Sequence, residues 1–158
     1  MPSDPILTVA LKLPEDMSAW LASFRVWLEP RVRLYETDAN GHMSQLTYFA
    51  YQEWAFSEYC TRLGYGQLVG SQAEISLFMG EQYCRFLAEI NYGAIIRLGV
   101  RCARLGRSSM TLEYAFCYED GRLAAAGSNS QVLVEVATRH SVPFPDDLRA
   151  AVERLESA

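Results

Sequence analysis

A short polar stretch, LYETDANGHMSQLTY at positions 34–48, places an acid, a glycine, a histidine and a serine beside a strongly aromatic segment. Carboxylates and imidazoles are common proton-transfer groups in enzymes. Ser44 is a preferred helix N-cap, so we predict that a helix begins at about Gln45 and directs unpaired backbone N–H groups at this turn. Such a helix end stabilises a carbonyl oxygen that gains negative charge under attack.

Asp38 is the residue of this turn best suited to catalysis. It lies seven residues before Gln45. Gly41 lacks a Cβ and lets the loop fold back, so we expect the carboxylate to approach a substrate bound at the helix end. There it would act as a general base on water or as a nucleophile. The alternative is an Asx-turn, in which the carboxylate binds the backbone two residues further on.

Three neighbours of Asp38 have both a chemical and a structural interpretation. His42 would orient the loop or touch the substrate, or it would make one structural hydrogen bond. Glu53 lies at the margin of the apolar half of the predicted helix, where partial burial would raise its pKa and suit it to proton transfer. A solvated or paired glutamate is the alternative. Tyr48 is expected to line a substrate pocket or to pack in the core.

The helix after the turn is predicted to end near Leu63, with Gly64 as its stop. At 100° per residue its apolar side chains cover half of the circumference, which is wider than a surface helix needs. A bent sheet curled around the helix would bury such a face. The apolar half comprises Tyr48, Phe49, Tyr51, Ala55, Phe56, Tyr59, Cys60 and Leu63.

The other elements follow from apolar periodicity and turn residues. Val26–Tyr35 reads as extended, although Pro30 lacks a ladder donor and restricts the strand to an edge, a bulge or two pieces. A short helix is predicted around Met17, Trp20, Leu21 and Phe24, and a last helix starts near Asp146 or Asp147. Four further strands are predicted at about 75–90, 94–105, 109–119 and 122–137, joined by tight antiparallel connections.

A strand, a long helix and four antiparallel strands fit a curved sheet wrapped around one central helix, which is the α+β hotdog fold. The segment YETDANGHMSQLTYFAYQEWA resembles acyl-CoA thioesterases of the 4-hydroxybenzoyl-CoA thioesterase type, whose pattern is roughly Asp-Thr-Asp-Ala-x-Gly-His-Val-Asn-x-x-x-Tyr. Glu36 replaces the first Asp, and Ser44 stands where Asn is common. The resemblance continues through EINYGAIIRLGVRCARLGRSS and PFPDDL, over about residues 24–150. We expect a hotdog domain at residues 24–158, after an N-terminal extension at residues 1–23.

The resemblance implies that the protein hydrolyses an acyl-CoA thioester. Asp38 would be the catalytic carboxylate, and an amide near Gln45 would polarise the thioester carbonyl. Coenzyme A would be part of the substrate, so no separate cofactor is expected. The GRSS region is implied to contact the nucleotide or pantetheine arm through Arg107, Ser108 and Ser109.

Two other arginines and two other functions remain open from the sequence. Arg97 and Arg101 lie on one predicted strand face, as a phosphate clamp or as solvated side chains. The stretch DANGH is similar to the Asp-x-Asn-Pro-x-His pattern of hotdog hydratases, but it is one residue shorter and lacks the proline. A non-catalytic acyl-CoA-binding subunit is the other alternative.

The composition limits the number of domains, the cellular location and the classes of ligand that we expect. The 158 residues suit one domain, and a formal charge of -5 argues against nonspecific nucleic-acid binding. An acidic N-terminus and the absence of long apolar runs argue against export and membrane insertion, and four scattered cysteines favour a reduced, cytoplasmic protein. Two distant histidines offer no metal-ligand spacing. Because a single hotdog unit exposes sheet edges, we expect a homodimer or homotetramer, with the Arg107 region of one subunit serving the Asp38 site of another.

Overall fold

Four strands after the long helix and one short strand before it form a five-stranded antiparallel sheet in the order β1-β3-β4-β5-β2. The computed structural model describes residues 12–69 and 73–158. The sheet and its central helix confirm the predicted α+β hotdog fold. No helix of the described residues is long and apolar enough to cross a membrane. The elements are α1 (Met17–Ala22), β1 (Val26–Leu28), α2 (Gln45–Arg62), β2 (Ile75–Phe86), β3 (Ile96–Leu105), β4 (Ser109–Tyr118), β5 (Leu123–Glu135) and α3 (Asp146–Ser157).

The first strand is much shorter than the extended segment predicted for Val26–Tyr35. β1 pairs with β3 at the edge of the sheet and ends after three residues. Pro30 follows it and has no N–H for a ladder bond, so only an isolated bridge from Arg31 to Ile95 continues the pairing. Residues 34–36 then form a 3-10 helix instead of a strand. The chain thereby turns away from the sheet before the polar turn begins.

The limits of α2 agree with the sequence analysis. Ser44 caps the helix, and its side chain accepts a hydrogen bond from the Thr47 backbone N–H. Gly64 follows the C-cap with φ of +82°, a left-handed conformation that favours glycine. The predicted apolar face is buried except for half-buried Phe49. The concave side of the sheet covers this face, and three register shifts along the strands mark the bulges that bend the sheet.

One buried polar residue fixes how α2 sits in the sheet. Gln52 is fully buried, donates a hydrogen bond of 3.1 Å to the Tyr83 carbonyl and accepts one of 3.3 Å from the Gln82 amide. Gly127 on β5 faces this side chain, and a Cβ added there would lie 2.5 Å from Gln52 Nε2. The glycine therefore provides the space in which the amide reaches the backbone of β2.

The segment before β1 covers the convex face of the sheet. Trp20 and Phe24 are buried against the small side chains of Ala115, Cys117 and Ala126. Gly99, Ala115 and Ala126 are aligned across three strands, and a Cβ at Gly99 would lie 2.8 Å from the Phe24 ring. Residues of the predicted N-terminal extension thus pack on the sheet, while the domain boundary at residue 24 stays a prediction.

This packing also changes the interpretation of two arginines. The Arg97 guanidinium lies 4.6 Å from the Trp27 ring centroid. Arg101 bonds the Ser23 hydroxyl, and its Nε lies 3.7 Å from a Glu113 carboxylate oxygen. Arg97 stacks on a residue of β1 and Arg101 is bonded to the end of α1, so neither is freely solvated, and the phosphate clamp stays a prediction.

We expect Gly127→Ala to destabilise the protein by about 1–3 kcal/mol, since the added methyl group must displace the buried Gln52 amide from its hydrogen bonds. Urea unfolding at fixed protein concentration measures the change. Gly66→Ala is the matched control, because its Cβ would meet Thr61 at an ordinary 3.4 Å. An equal loss in both variants, or no coupling between Gly127→Ala and Gln52→Ala in the double mutant, would contradict the packing argument.

Candidate active site

The polar turn between the 3-10 helix and α2 is held at both ends by backbone hydrogen bonds. Ser44 N–H donates to the Glu36 carbonyl at 2.9 Å, and Met43 N–H donates to the Ile90 carbonyl at 2.6 Å. Gly41 has φ of +78°, as expected for a loop that folds back. The turn is therefore fixed against both α2 and the segment that precedes β3.

Asp38 forms the predicted Asx-turn. Its Oδ1 accepts hydrogen bonds from the backbone N–H groups of Asn40 at 2.8 Å and of His42 at 3.1 Å. Oδ2 accepts no hydrogen bond from residues 12–69 or 73–158. The side chain is exposed in the single chain, yet it lines a cavity. One carboxylate oxygen is thus structural, and the other is available for chemistry.

The N-terminus of α2 lies beside the same cavity. Ser44 uses its side chain and carbonyl oxygen to accept from the third helical residue, Thr47. Within the described part of the chain, the N–H groups of Gln45 and Leu46 have no hydrogen-bond acceptor. These donors and the helix dipole favour negative charge at this end.

The cavity at the helix end has a volume of about 240 Å³. It brings together Asp38, His42, Gln45 and Tyr48, as the sequence analysis predicts. Tyr48 is both a lining and a core residue, with its ring centroid 4.9 Å from that of Phe86 and 5.1 Å from that of Phe116. Burial raises the pKa of the Tyr48 phenol far above its usual value, so this group stays protonated. The remaining lining residues are Met43, Phe86, Glu89 and Ile90.

His42 has a charged partner that the sequence did not indicate. Its Nε2 lies 3.3 Å from an oxygen of Glu89, whose side chain is largely exposed. Its backbone pairs with Asn91 in an isolated bridge. The imidazole therefore contacts the loop before β3 and also borders the cavity, and its role stays a prediction.

Glu53 differs from the prediction. Its side chain is exposed, so the predicted partial burial is wrong. The helix turns by 100° per residue, and here Gln52 faces the sheet while Glu53 faces outward. Glu53 does not line the Asp38 cavity. Its catalytic role therefore has no geometric support within one chain.

Arg107, Ser108 and Ser109 lie far from Asp38 within the same chain. The Asp38 cavity is lined by residues 89–90, before β3, whereas Arg107 follows the end of β3. The strand has 10 residues, which corresponds to about 30 Å. The backbone of this turn is held by Phe144, whose N–H donates to the Arg107 carbonyl at 2.8 Å.

Glu36, where the family pattern has Asp, connects the turn to the middle of α2. Its Oε2 accepts hydrogen bonds from the Arg33 backbone N–H at 2.7 Å and from the Tyr51 hydroxyl at 2.8 Å. Its carbonyl also accepts from the Thr47 hydroxyl at 2.9 Å. The longer glutamate therefore positions the turn and does not enter the Asp38 cavity.

The sequence analysis missed four lining residues of the cavity. Met43 and Ile90 are joined by a backbone hydrogen bond, and Phe86 and Glu89 lie close to Ile90 in the chain. Met43 lies in the turn itself, whereas the other three are distant from it in the chain, so no local spacing indicates their contact with the turn. Among the described residues, no group of three or more His, Cys, Asp or Glu side chains could hold a metal ion.

Comparisons with known proteins support the fold and show the family. The PA5185 protein from Pseudomonas aeruginosa is 30% identical, with a TM-score of 0.75 over 85% of this chain and 93% of that chain. A thioesterase from Thermus thermophilus, solved with coenzyme A and Zn, is 26% identical, with a TM-score of 0.76 over 86% and 97% of the two chains.

A curated relative carries an assigned activity. The L-carnitine dehydrogenase/betainyl-CoA thioesterase of Agrobacterium fabrum is 25% identical over 120 residues, which cover 76% of this chain and 25% of that protein. The family model described as thioesterase-like superfamily matches residues 32–152, a span that includes the polar turn, α2 and all of the sheet except β1. The chain therefore belongs to the thioesterase-like superfamily.

Proposed function

We propose that this protein is an acyl-CoA thioesterase of the 4-hydroxybenzoyl-CoA thioesterase type that hydrolyses its substrate in the Asp38 cavity. The observation that carries the proposal is the meeting of Asp38 and Gln45 around one cavity, because the Gln45 backbone N–H has no acceptor among the described residues. Hydrolysis of a thioester needs both a group that activates water and donors that stabilise the oxyanion.

In the proposed reaction, the thioester carbonyl oxygen lies at the N-terminus of α2. Asp38 accepts a proton from a water molecule, and the hydroxide attacks the acyl carbon. The tetrahedral oxyanion is stabilised by the helix N–H groups, and one such donor contributes about 3–4 kcal/mol in a site that excludes water. The intermediate then breaks its C–S bond, and the leaving thiolate takes the proton from Asp38. The products are a carboxylic acid and free coenzyme A.

The Asx-turn supports this role instead of competing with it. Two N–H groups bind Oδ1 and orient the carboxylate, while Oδ2 remains for the proton transfer. The same oxygen could attack the acyl carbon directly, giving an anhydride that water then hydrolyses. Both routes use the same atoms and the same oxyanion donors.

The acyl group is proposed to lie against the apolar wall formed by Met43, Tyr48, Phe86 and Ile90. The relative crystallised with coenzyme A supports an acyl-CoA as the substrate, as does the betainyl-CoA thioesterase. The four free cysteines fit a protein that acts in the cytoplasm.

The site is proposed to be completed by a second copy of the chain. Among the described strands none pairs with the outer edge of β2, and Leu46, Phe86 and Leu87 are 72%, 51% and 43% exposed near the cavity. Apolar side chains around a free edge are typical of an interface. Since Arg107 lies at the opposite end of β3, it could contact coenzyme A at Asp38 only across such an interface.

Asp38→Asn tests the carboxylate. The asparagine oxygen can still accept both turn hydrogen bonds, but the amide neither takes a proton nor attacks an acyl carbon. We expect the hydrolysis rate to fall by about 10²–10⁴-fold and the stability to change by less than about 0.5 kcal/mol. Free thiol release from a panel of acyl-CoAs and thermal unfolding measure the two effects. Full activity in this variant would contradict the proposal and favour a structural Asx-turn.

Gln45→Pro tests the helix donor. Proline is well tolerated at the first helical position but has no N–H, and Ser44 already has the extended backbone that precedes proline (φ -69°, ψ 152°). We expect kcat to fall by about 10²–10³-fold with little change in melting temperature. Gln45→Ala is the control, since it removes the side-chain amide and keeps the N–H. Equal losses in both variants would assign the effect to the side chain.

Mixing two impaired variants tests the shared site. Asp38→Asn and Arg107→Ala chains are co-expressed with different tags, and the mixed dimer is purified. We expect the mixed dimer to regain close to half of the wild-type activity at low acyl-CoA concentration, because one of its two sites holds both native residues. If it is no more active than the two parents, Asp38 and Arg107 do not share a site across an interface. A monomer by light scattering would contradict the dimer itself.

A further inference from the structure

A second cavity lies further along α2, on the other side of Glu36 from the Asp38 cavity. It has a volume of about 450 Å³. This volume is within the range of small-molecule sites, about 300–1,000 Å³. The two cavities share no lining residue. Its lining residues are Glu29, Pro30, Arg31, Arg33, Glu36, Tyr51 and Trp54.

Two arginines of this cavity keep guanidinium N–H groups that can bind an anion. Among the described residues, no carboxylate oxygen lies within 4.0 Å of the guanidinium of Arg31 or of Arg33. Arg31 donates to the Gly93 carbonyl at 3.3 Å, and Arg33 donates to the Tyr35 hydroxyl. Each guanidinium therefore keeps N–H groups for a ligand, since arginine has five of them.

Neither acidic residue of the lining, Glu29 or Glu36, is paired with these guanidinium groups. Glu36 already accepts hydrogen bonds from the Tyr51 hydroxyl and the Arg33 backbone N–H, both at Oε2. Glu29 is exposed. A carboxylate ligand would complete the pairing of the guanidinium groups, which bind carboxylates in a planar, bidentate geometry.

The opposite wall of the cavity is aromatic. The Trp54 side chain is 45% exposed, whereas Tyr51 beneath it is buried, and their ring centroids lie 6.0 Å apart in an edge-to-face arrangement. An exposed indole beside these two guanidinium groups offers a flat surface for an aromatic ring whose carboxylate substituent reaches the cations. A compact inorganic anion would leave this surface uncovered.

We propose that the cavity formed by Arg31, Arg33 and Trp54 binds a planar aromatic carboxylate. The carboxylate pairs with the two guanidinium groups, and the ring lies against the indole of Trp54. This site is separate from the Asp38 cavity, and the inference does not depend on thioester hydrolysis.

Benzoate is the probe, and isothermal titration calorimetry on the full chain is the measurement. We expect saturable binding that weakens by at least about tenfold in Arg31→Gln or Arg33→Gln, because each variant loses a charge-assisted hydrogen bond to the carboxylate. Arg62→Gln is the matched control, since Arg62 lies on the same helix as Trp54, pairs with Glu58 and is outside the cavity. Benzamide, which has no charge, should bind more weakly than benzoate and equally to all four proteins.

Trp54 supplies a second readout. Benzoate should change the tryptophan fluorescence of the native protein and not that of Trp54→Phe, because Trp20 and Trp27 lie on the convex side of the sheet. Asp38→Asn should bind benzoate with unchanged affinity. The proposal is overturned if benzoate does not bind, if Arg31→Gln and Arg62→Gln bind it equally, or if Asp38→Asn abolishes binding. Because Arg31 is exposed, we expect Arg31→Gln to fold, and this variant tests the proposal even if Arg33→Gln does not fold.

Discussion

The geometry of the candidate site depends on where α2 lies within the sheet. Half of its surface is apolar, which buries the helix but would allow it to slide or rotate against smooth aliphatic neighbours. The Gln52 side chain removes this freedom, because its amide is bound to the backbone of β2 at one place only. A misplaced helix would leave that amide buried without partners, at a cost of about 1–3 kcal/mol. The N-terminus of α2 therefore lies at a fixed position relative to the sheet.

That fixed helix end explains why one short turn can be both structural and reactive. Ser44 satisfies the third N–H group of the helix, and the first two remain for a ligand. The Asp38 carboxylate behaves in the same way, since Oδ1 accepts the two hydrogen bonds of the turn and Oδ2 remains for a ligand. In each case the structural hydrogen bonds orient the group that stays free. The Asx-turn and the proposed catalytic carboxylate are consequently not alternatives.

Sequence reasoning reached the features that depend on local chemistry. The cap at Ser44, the stop at Gly64 and the turn at Asp38 each follow from residue types within a few positions, and the fold follows from the order of the periodic segments. It failed where the burial or the contacts of a side chain depend on residues distant in the chain. Helical spacing places Glu53 at the border of the buried face, whereas the neighbouring Gln52 is the polar residue that enters it, because Gly127 on β5 leaves room for an amide. The surroundings of Arg97 and Arg101 likewise depend on contacts with Trp27 and Ser23, which no strand pattern reveals.

The length of β3 limits which residues of one chain can reach the Asp38 site. A strand of 10 residues separates the loop beside Asp38 from the turn at Arg107, about 30 Å away. No side chain spans that distance, so a contribution of Arg107 to the Asp38 site requires a second chain running in the opposite direction. An antiparallel partner at the free edge of β2 would supply this arrangement by symmetry, because a two-fold axis brings opposite ends of the two sheets together. The exposed apolar residues near that edge would then be buried by the same contact that completes the proposed site.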